Sequence, residues 1–169
     1  VKHNKPTPKK CTLTDTQLDV IRKIGKKTEP PKEANGFSLV EWGGHRYVYE
    51  YAKKCIVKIA IPGDKSDHNQ TEVETYQEAS PKIKKILAPV TDYAPDYSWI
   101  TMPKAKTTKT GLSDMEAYFI YTDLNKEIQS QGFMCWDIDK RQIGKIGKKP
   151  VVVDYGFGIS CPIGQEKKK

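Results

Sequence analysis

The chain is 169 residues long, with 37% apolar and 30% charged residues and a formal net charge of +8. This is the size of one compact domain that buries a core without metal or disulfide staples, and no apolar run approaches bilayer-spanning length. Membrane-spanning helical proteins are thereby excluded, and a soluble intracellular protein without a signal peptide is expected.

Residues 1–11, VKHNKPTPKKC, read as a flexible basic arm. TDTQLDVIRKIG then offers an N-cap at Thr14 or Asp15, apolar Leu18, Ile21 and Ile24 at helical spacing, and Gly25 as a stop. This predicts a short helix that either packs on the back of a sheet or docks a partner. KKTEPPKEANG is a linker by its prolines and charges. FSLVEW, RYVYEY and CIVKIA, separated by GGH and AKK, are rich in aromatic and β-branched residues and predict an antiparallel meander. DHNQTEVETYQEAS predicts a helix. ILAPVTDYAPDYSWITM predicts two further strands around a turn at Ala94 to Asp96, giving five strands with one helix inserted after the third.

KAKTTKTG interrupts the pattern. LSDMEAYFIYTDLNKEIQSQG then opens with a capping box, Ser113 and Glu116, and ends at Gly132, with Met115, Tyr118, Phe119, Thr122 and Ile128 expected on its mostly apolar face. FMCWDIDKRQIG, a turn around KIGKK and the strand VVVDYGFG predict a hairpin beside that helix. Asp154, inside VVVDYGFG, has two readings: a turn cap, with Gly156 and Gly158 supplying unusual φ angles, or a functional acid.

Cys11, Cys55, Cys135 and Cys161 lack the paired spacing of a zinc or thioredoxin-type motif, so reduced thiols are expected. His3, His45 and His68 have no partner at ligand spacing either. The basic residues crowd the first 30 positions, PKIKK, KAKTTK, KRQIGKIGKK and the terminal EKKK, which favours anionic partners. These lysine runs are not interleaved with aromatics, so nucleic-acid binding is possible but not favoured.

The element order, together with CIVK, TEVETYQ, WDIDKRQIG and DYGFG, resembles a protein kinase over roughly residues 35–160. The resemblance implies an α+β, kinase-like fold. Residues 1–34 would be a basic arm, short helix and linker; 35–103 an N-lobe of five antiparallel strands with the inserted helix. Residues 104–169 would then hold a hinge and a truncated C-lobe with one long helix, a catalytic-loop hairpin and a basic tail. It further implies ATP and Mg²⁺ as cofactors, with Lys58 reaching the α and β phosphates and Glu72 orienting Lys58. Asp154 and Gln142 would hold the metal, and Asp137 would accept the proton of the attacking hydroxyl. Gly43, Gly44 and Val48, with Met102, Lys104 and Ala105 at the hinge, would surround the nucleotide. The chemistry behind this set is electrostatic: a triphosphate needs a cation on a rigid strand, an acid to hold that cation, and an acid to hold magnesium.

Several positions depart from the family pattern. The glycine loop is only WGGH, Ile56 replaces a small alanine against the adenine, Gln142 stands for asparagine, and Trp136 replaces an arginine. ISCPIGQEKKK follows Gly158 in place of an activation segment and helical half, which resembles the compact protein kinases of some bacteriophages. Two functions follow from the resemblance. One is a minimal Mg-ATP-dependent kinase acting on a protein hydroxyl or on itself; the other is a pseudokinase that binds a nucleotide or an acidic protein partner. A small-molecule phosphotransferase is a third, weakened by the lack of a second half to enclose the acceptor.

Overall fold

The computed structural model describes residues 11–64, 67–132, 134–135, 138–156 and 159–160. Helix α1 (Asp15–Ile24) precedes strands β1 (Glu33–Ala34), β2 (Phe37–Trp42), β3 (Arg46–Tyr51) and β4 (Cys55–Ala60). Helices α2 (His68–Glu78) and α3 (Pro81–Lys84) lead to β5 (Asp92–Tyr93) and β6 (Trp99–Pro103). The remainder comprises α4 (Asp114–Ser130), β7 (Met134–Cys135), β8 (Ile143–Ile146), β9 (Lys149–Val152) and β10 (Ile159–Ser160). Reciprocal capping boxes, Thr14 with Gln17 and Ser113 with Glu116, start α1 and α4 by satisfying amides that have no partner within the helix.

The main sheet is antiparallel and runs β1-β2-β3-β4-β6-β5. It has six strands rather than the expected five, because β1 forms inside the stretch read as linker. Asn35 and Gly36 take φ of 45° and 87°, as the two central residues of a tight hairpin turn require, and Ala34 pairs with Phe37.

Strand alternation gives this sheet two different faces. Tyr47, Tyr49 and Tyr51 on β3 share a face with Cys55, Val57 and Ile59 on β4, as the register of Tyr47 with Ile59 and Tyr49 with Val57 requires. This back face packs on Val20, Ile21 and Ile24 of α1, which resolves the role of that helix. The Tyr47 hydroxyl donates to the carbonyls of Lys27 and Thr28, and that of Tyr49 to Pro31, so the tyrosines also pin the linker.

Cys11 is buried in the same cluster and is joined to Cys55 by a disulfide across 44 positions, which corrects the expectation of reduced thiols for this pair. The pairing is long-range: the Thr101 hydroxyl on β6 donates to the Cys11 carbonyl at 2.8 Å and holds that residue against the sheet. No spacing rule reports such a contact. Cys161 and the side chain of Cys135 lie outside the described residues.

The front face carries Ile100 and Met102, in register with Lys58 and Ile56, and packs on a second core. That core includes Val73 of α2, Leu87, Ala117, Ile120, Leu124 and Ile128 of α4, and Ile143, Val151 and Val152 of the β8–β9 hairpin. The buried stripe of α4 is therefore not the expected one. Met115, Tyr118 and Phe119 are 71%, 58% and 61% exposed, and of the expected set Ile128 is buried. Ala117, Ile120, Leu124 and Ile128 recur every three or four residues, and this spacing decided the face over side-chain size. The hairpin is tied to the rest of the fold twice: Val152 exchanges backbone bonds with Ile86 and Ala88, and Lys145 with Lys106.

Candidate functional site

Lys58 lies on the front face of β4, and its side chain is 4% exposed. Its Nζ donates to Glu72 Oε1 at 2.6 Å and to the Val153 carbonyl at 2.8 Å, and stands 3.9 Å from Asp154 Oδ1. Glu72 is fully buried on α2, where Oε1 also accepts the Tyr155 amide at 3.0 Å. The ammonium and two carboxylates expected to converge, from β4, α2 and the segment after β9, do so.

Between the front of the sheet, the segment after β6 and the β8–β9 hairpin lies a cleft of ≈ 260 Å³, just below the ~300–1,000 Å³ usual for small-molecule pockets. Lys58, Val48, Met102, Lys104, Ala105, Gln142 and Asp154 line it, as does Ile56. Glu72 stands behind Lys58, outside the lining. Gly43 and Gly44 are not among the residues that line the cleft, whereas Val40 and Glu41 of β2 are. The reason is the tight β2–β3 turn, where the Gly43 amide bonds back to the Arg46 carbonyl. Asp137, Trp136 and Gly158 lie outside the described residues.

Two lysines of KAKTTK, counted above as a source of anion attraction, are committed within the protein. Lys104 pairs with Glu50 and Lys109 with Glu41, strapping the segment after β6 to the sheet. In the β8–β9 approach, Asp139 accepts from the Arg141 amide and guanidinium, a local turn cap, and Arg141 holds its carboxyl below the ordinary value. Gln142 Oε1 accepts the Asp139 amide at 2.9 Å.

Asp154 makes the contact of a turn cap and also faces the cleft. Oδ1 accepts weakly from the Gly156 amide at 3.4 Å, as a turn cap would, yet the side chain remains 45% exposed and lines the cleft. Gly156 is needed for space rather than for a positive φ: a Cβ there would lie 2.9 Å from His68 Nδ1 and 3.2 Å from an Arg46 nitrogen.

Arg46 is the site residue to which sequence reasoning assigned no role. It lies on β3, on the same face as Lys58, and is 8% exposed. One guanidinium nitrogen donates to Glu72 Oε2 at 2.5 Å and to Asn69 Oδ1 at 3.3 Å; the other donates to Asp154 Oδ1 at 2.5 Å. The alternation in RYVYEY carried a signal, because three inward tyrosines on the back leave Arg46, Val48 and Glu50 facing the lysine. Burial alone would raise the Asp154 carboxyl, but the charges of Lys58 and Arg46 outweigh it and hold that group well below the usual range. Burial would lower Arg46, and Glu72 with Asp154 reverses this, so the guanidinium stays charged.

Among the described residues, Asp154 is a carboxylate exposed in the cleft and suited to a divalent cation, and the Gln142 side-chain oxygen, which also lines the cleft, already accepts one hydrogen bond from the Asp139 amide. Among the described residues no group of three or more His, Cys, Asp or Glu side chains is arranged to hold a metal.

No family model matches the chain, and no curated protein matches it. Among solved structures, the co-crystal structure of WbdD with the kinase inhibitor LY294002 superposes with a TM-score of 0.53 at 10% identity, over 77% of this chain and 34% of that one. A high-resolution crystal structure of WbdD gives 0.52 at 10% identity over the same shares. A third, titled as the bifunctional kinase-methyltransferase WbdD, gives 0.49 at 13% identity over 69% and 30% and adds nothing to the fold argument. The chain thus spans about a third of the WbdD chains it matches, and what it shares with them is an α+β, kinase-like fold.

Proposed function

We propose that the cleft binds ATP and that the chain is a minimal kinase-type phosphotransferase, acting on a hydroxyl of a protein partner or of itself. The observation that carries this reading is the approach of Lys58, paired to Glu72 at 2.6 Å, to within 3.9 Å of Asp154 in one cleft. In this reading the apolar walls, Val48, Ile56, Ala88 and Met102, hold the base beside the backbone of Pro103 to Ala105. Lys58 holds the α and β phosphates, and Glu72 keeps Lys58 extended toward them. Asp154 is the residue suited to hold Mg²⁺, which when bound would neutralise charge developing on the transferred phosphoryl oxygens. Asp137 is assigned the acceptor's proton by resemblance alone.

A second reading, a nucleotide-binding pseudokinase, draws support from one observation: Arg46 is paired with Oδ1 of Asp154, the acid that the enzyme reading assigns to the metal. Transfer of labelled γ-phosphate separates the two. The enzyme reading expects incorporation that is lost in Asp137→Asn while Mg-ATP still raises the melting temperature, by the mass-action stabilisation of about 2.7 kcal/mol at a hundredfold excess over Kd. Binding without incorporation in the wild type selects the pseudokinase, and the absence of any nucleotide-dependent shift overturns both.

A further inference from the structure

Asp154 and Arg46 form part of the wall between two cavities. Asp154 lines the cleft that holds Lys58, and Arg46 lines a neighbouring pocket of ≈ 270 Å³ with His68, Asn69 and Asp96. The pair closes at 2.5 Å, and the guanidinium is anchored from behind by Glu72 and Asn69. Lys58 and Arg46 bring two positive charges and Glu72 and Asp154 two negative ones, so the quartet is neutral without an added ion. A Cβ at Gly156 would press on His68 at 2.9 Å and on the Arg46 guanidinium at 3.2 Å, so glycine leaves room for both side chains.

We propose that Arg46 is the resident cation of the site: its guanidinium holds Oδ1 of Asp154, the carboxylate a divalent cation would bind here, and the positive charge it places there keeps such an ion out of the cleft in the absence of nucleotide. Removing Arg46 would then create a metal site. The physical reasons are that guanidinium remains charged at every accessible pH and that two cations brought to the same carboxylate repel each other. The neutral quartet also lacks the surplus negative charge that draws a hard cation to oxygen ligands. The proposal deepens the nucleotide reading, since phosphates arriving with their own cation would supply that charge, but its first half holds without a nucleotide.

The test is a Mn²⁺ titration of the nucleotide-free protein, with free ion followed by electron paramagnetic resonance. The wild type is expected to show no saturable binding in the millimolar range. Arg46→Met is expected to bind Mn²⁺ at least about tenfold more tightly, and Arg46→Met/Asp154→Asn to lose that gain. Arg46→Lys, which keeps the charge and the neutral quartet, is the second variant and is expected to exclude Mn²⁺ as the wild type does; an Arg46→Lys protein that binds as tightly as Arg46→Met overturns the proposal. Saturable wild-type binding that disappears in Asp154→Asn overturns the proposal, whatever the stability of the variants. So does an Arg46→Met protein that binds no better than wild type. Repeating the wild-type titration with ATP separates the two ideas. If the nucleotide-free results are as expected and ATP neither binds nor recruits Mn²⁺, the nucleotide reading fails while the role of Arg46 stands.

Discussion

The two faces of one sheet are built from alternate residues of the same strands, yet they are held by different physics. Behind β3 and β4, three tyrosines, Phe37, Val57 and Ile59 bury apolar area against α1, and the hydroxyls of Tyr47 and Tyr49 reach carbonyls of the linker. In front, Arg46 and Lys58 are removed from water and must be compensated by Glu72 and Asp154. Apolar burial is non-directional and tolerates small displacements. A buried charge cluster tolerates none, because each group left unpaired incurs its full desolvation cost. The back face is thus suited to stability and the front to positioning.

The largest expected effect lies on the back. The Cys11–Cys55 disulfide closes a loop of 44 positions, for which the chain-entropy relation gives about 4 kcal/mol. Reduction, or Cys11→Ser, is expected to lower the urea midpoint and to steepen the unfolding slope, because the denatured chain without the crosslink exposes more surface. An unchanged midpoint in the reduced protein would show that apolar packing alone secures this face.

On the front, Glu72→Gln keeps shape and one hydrogen-bonding oxygen but leaves Arg46 and Lys58 short of a negative charge. A loss of about 3 kcal/mol is expected in chemical denaturation, together with loss of any nucleotide-induced stabilisation. An Ile21→Val control on α1 is expected to retain that nucleotide response; equal loss in both variants would erase the proposed division between the faces.

The smallest effect is a pH signature. The Asp154 carboxyl is lowered from its ordinary 3.8 in the folded protein, so the unfolded chain binds more protons in acid. The resulting stabilisation is complete above that ordinary value and is lost as pH falls from there through the lowered folded value. Unfolding free energy measured downward from pH 5 is expected to fall less steeply in Asp154→Asn than in the wild type, and parallel curves would detach Asp154 from its cationic neighbours.

Much of the architecture is legible locally. Thr14 with Gln17 and Ser113 with Glu116 mark the helix starts within four residues, and alternation in RYVYEY and CIVKIA assigns two faces before any partner is known. Asn35-Gly36 also announced its hairpin, though the adjacent prolines and charges drew the reading toward a linker. Lys58, Glu72 and Asp154 were recognisable because their order along the chain matches the order of the elements that carry them.

The sequence by itself therefore determined the element order, the strand faces and the candidates for the charged centre, since periodicity, caps and turns act over a few residues. Tertiary structure alone decided that Cys11 meets Cys55 and that Arg46 bridges Glu72 to Asp154. Those contacts join positions tens of residues apart. Their partners depend on how whole elements pack, and local spacing carries no record of which distant group will fill the space.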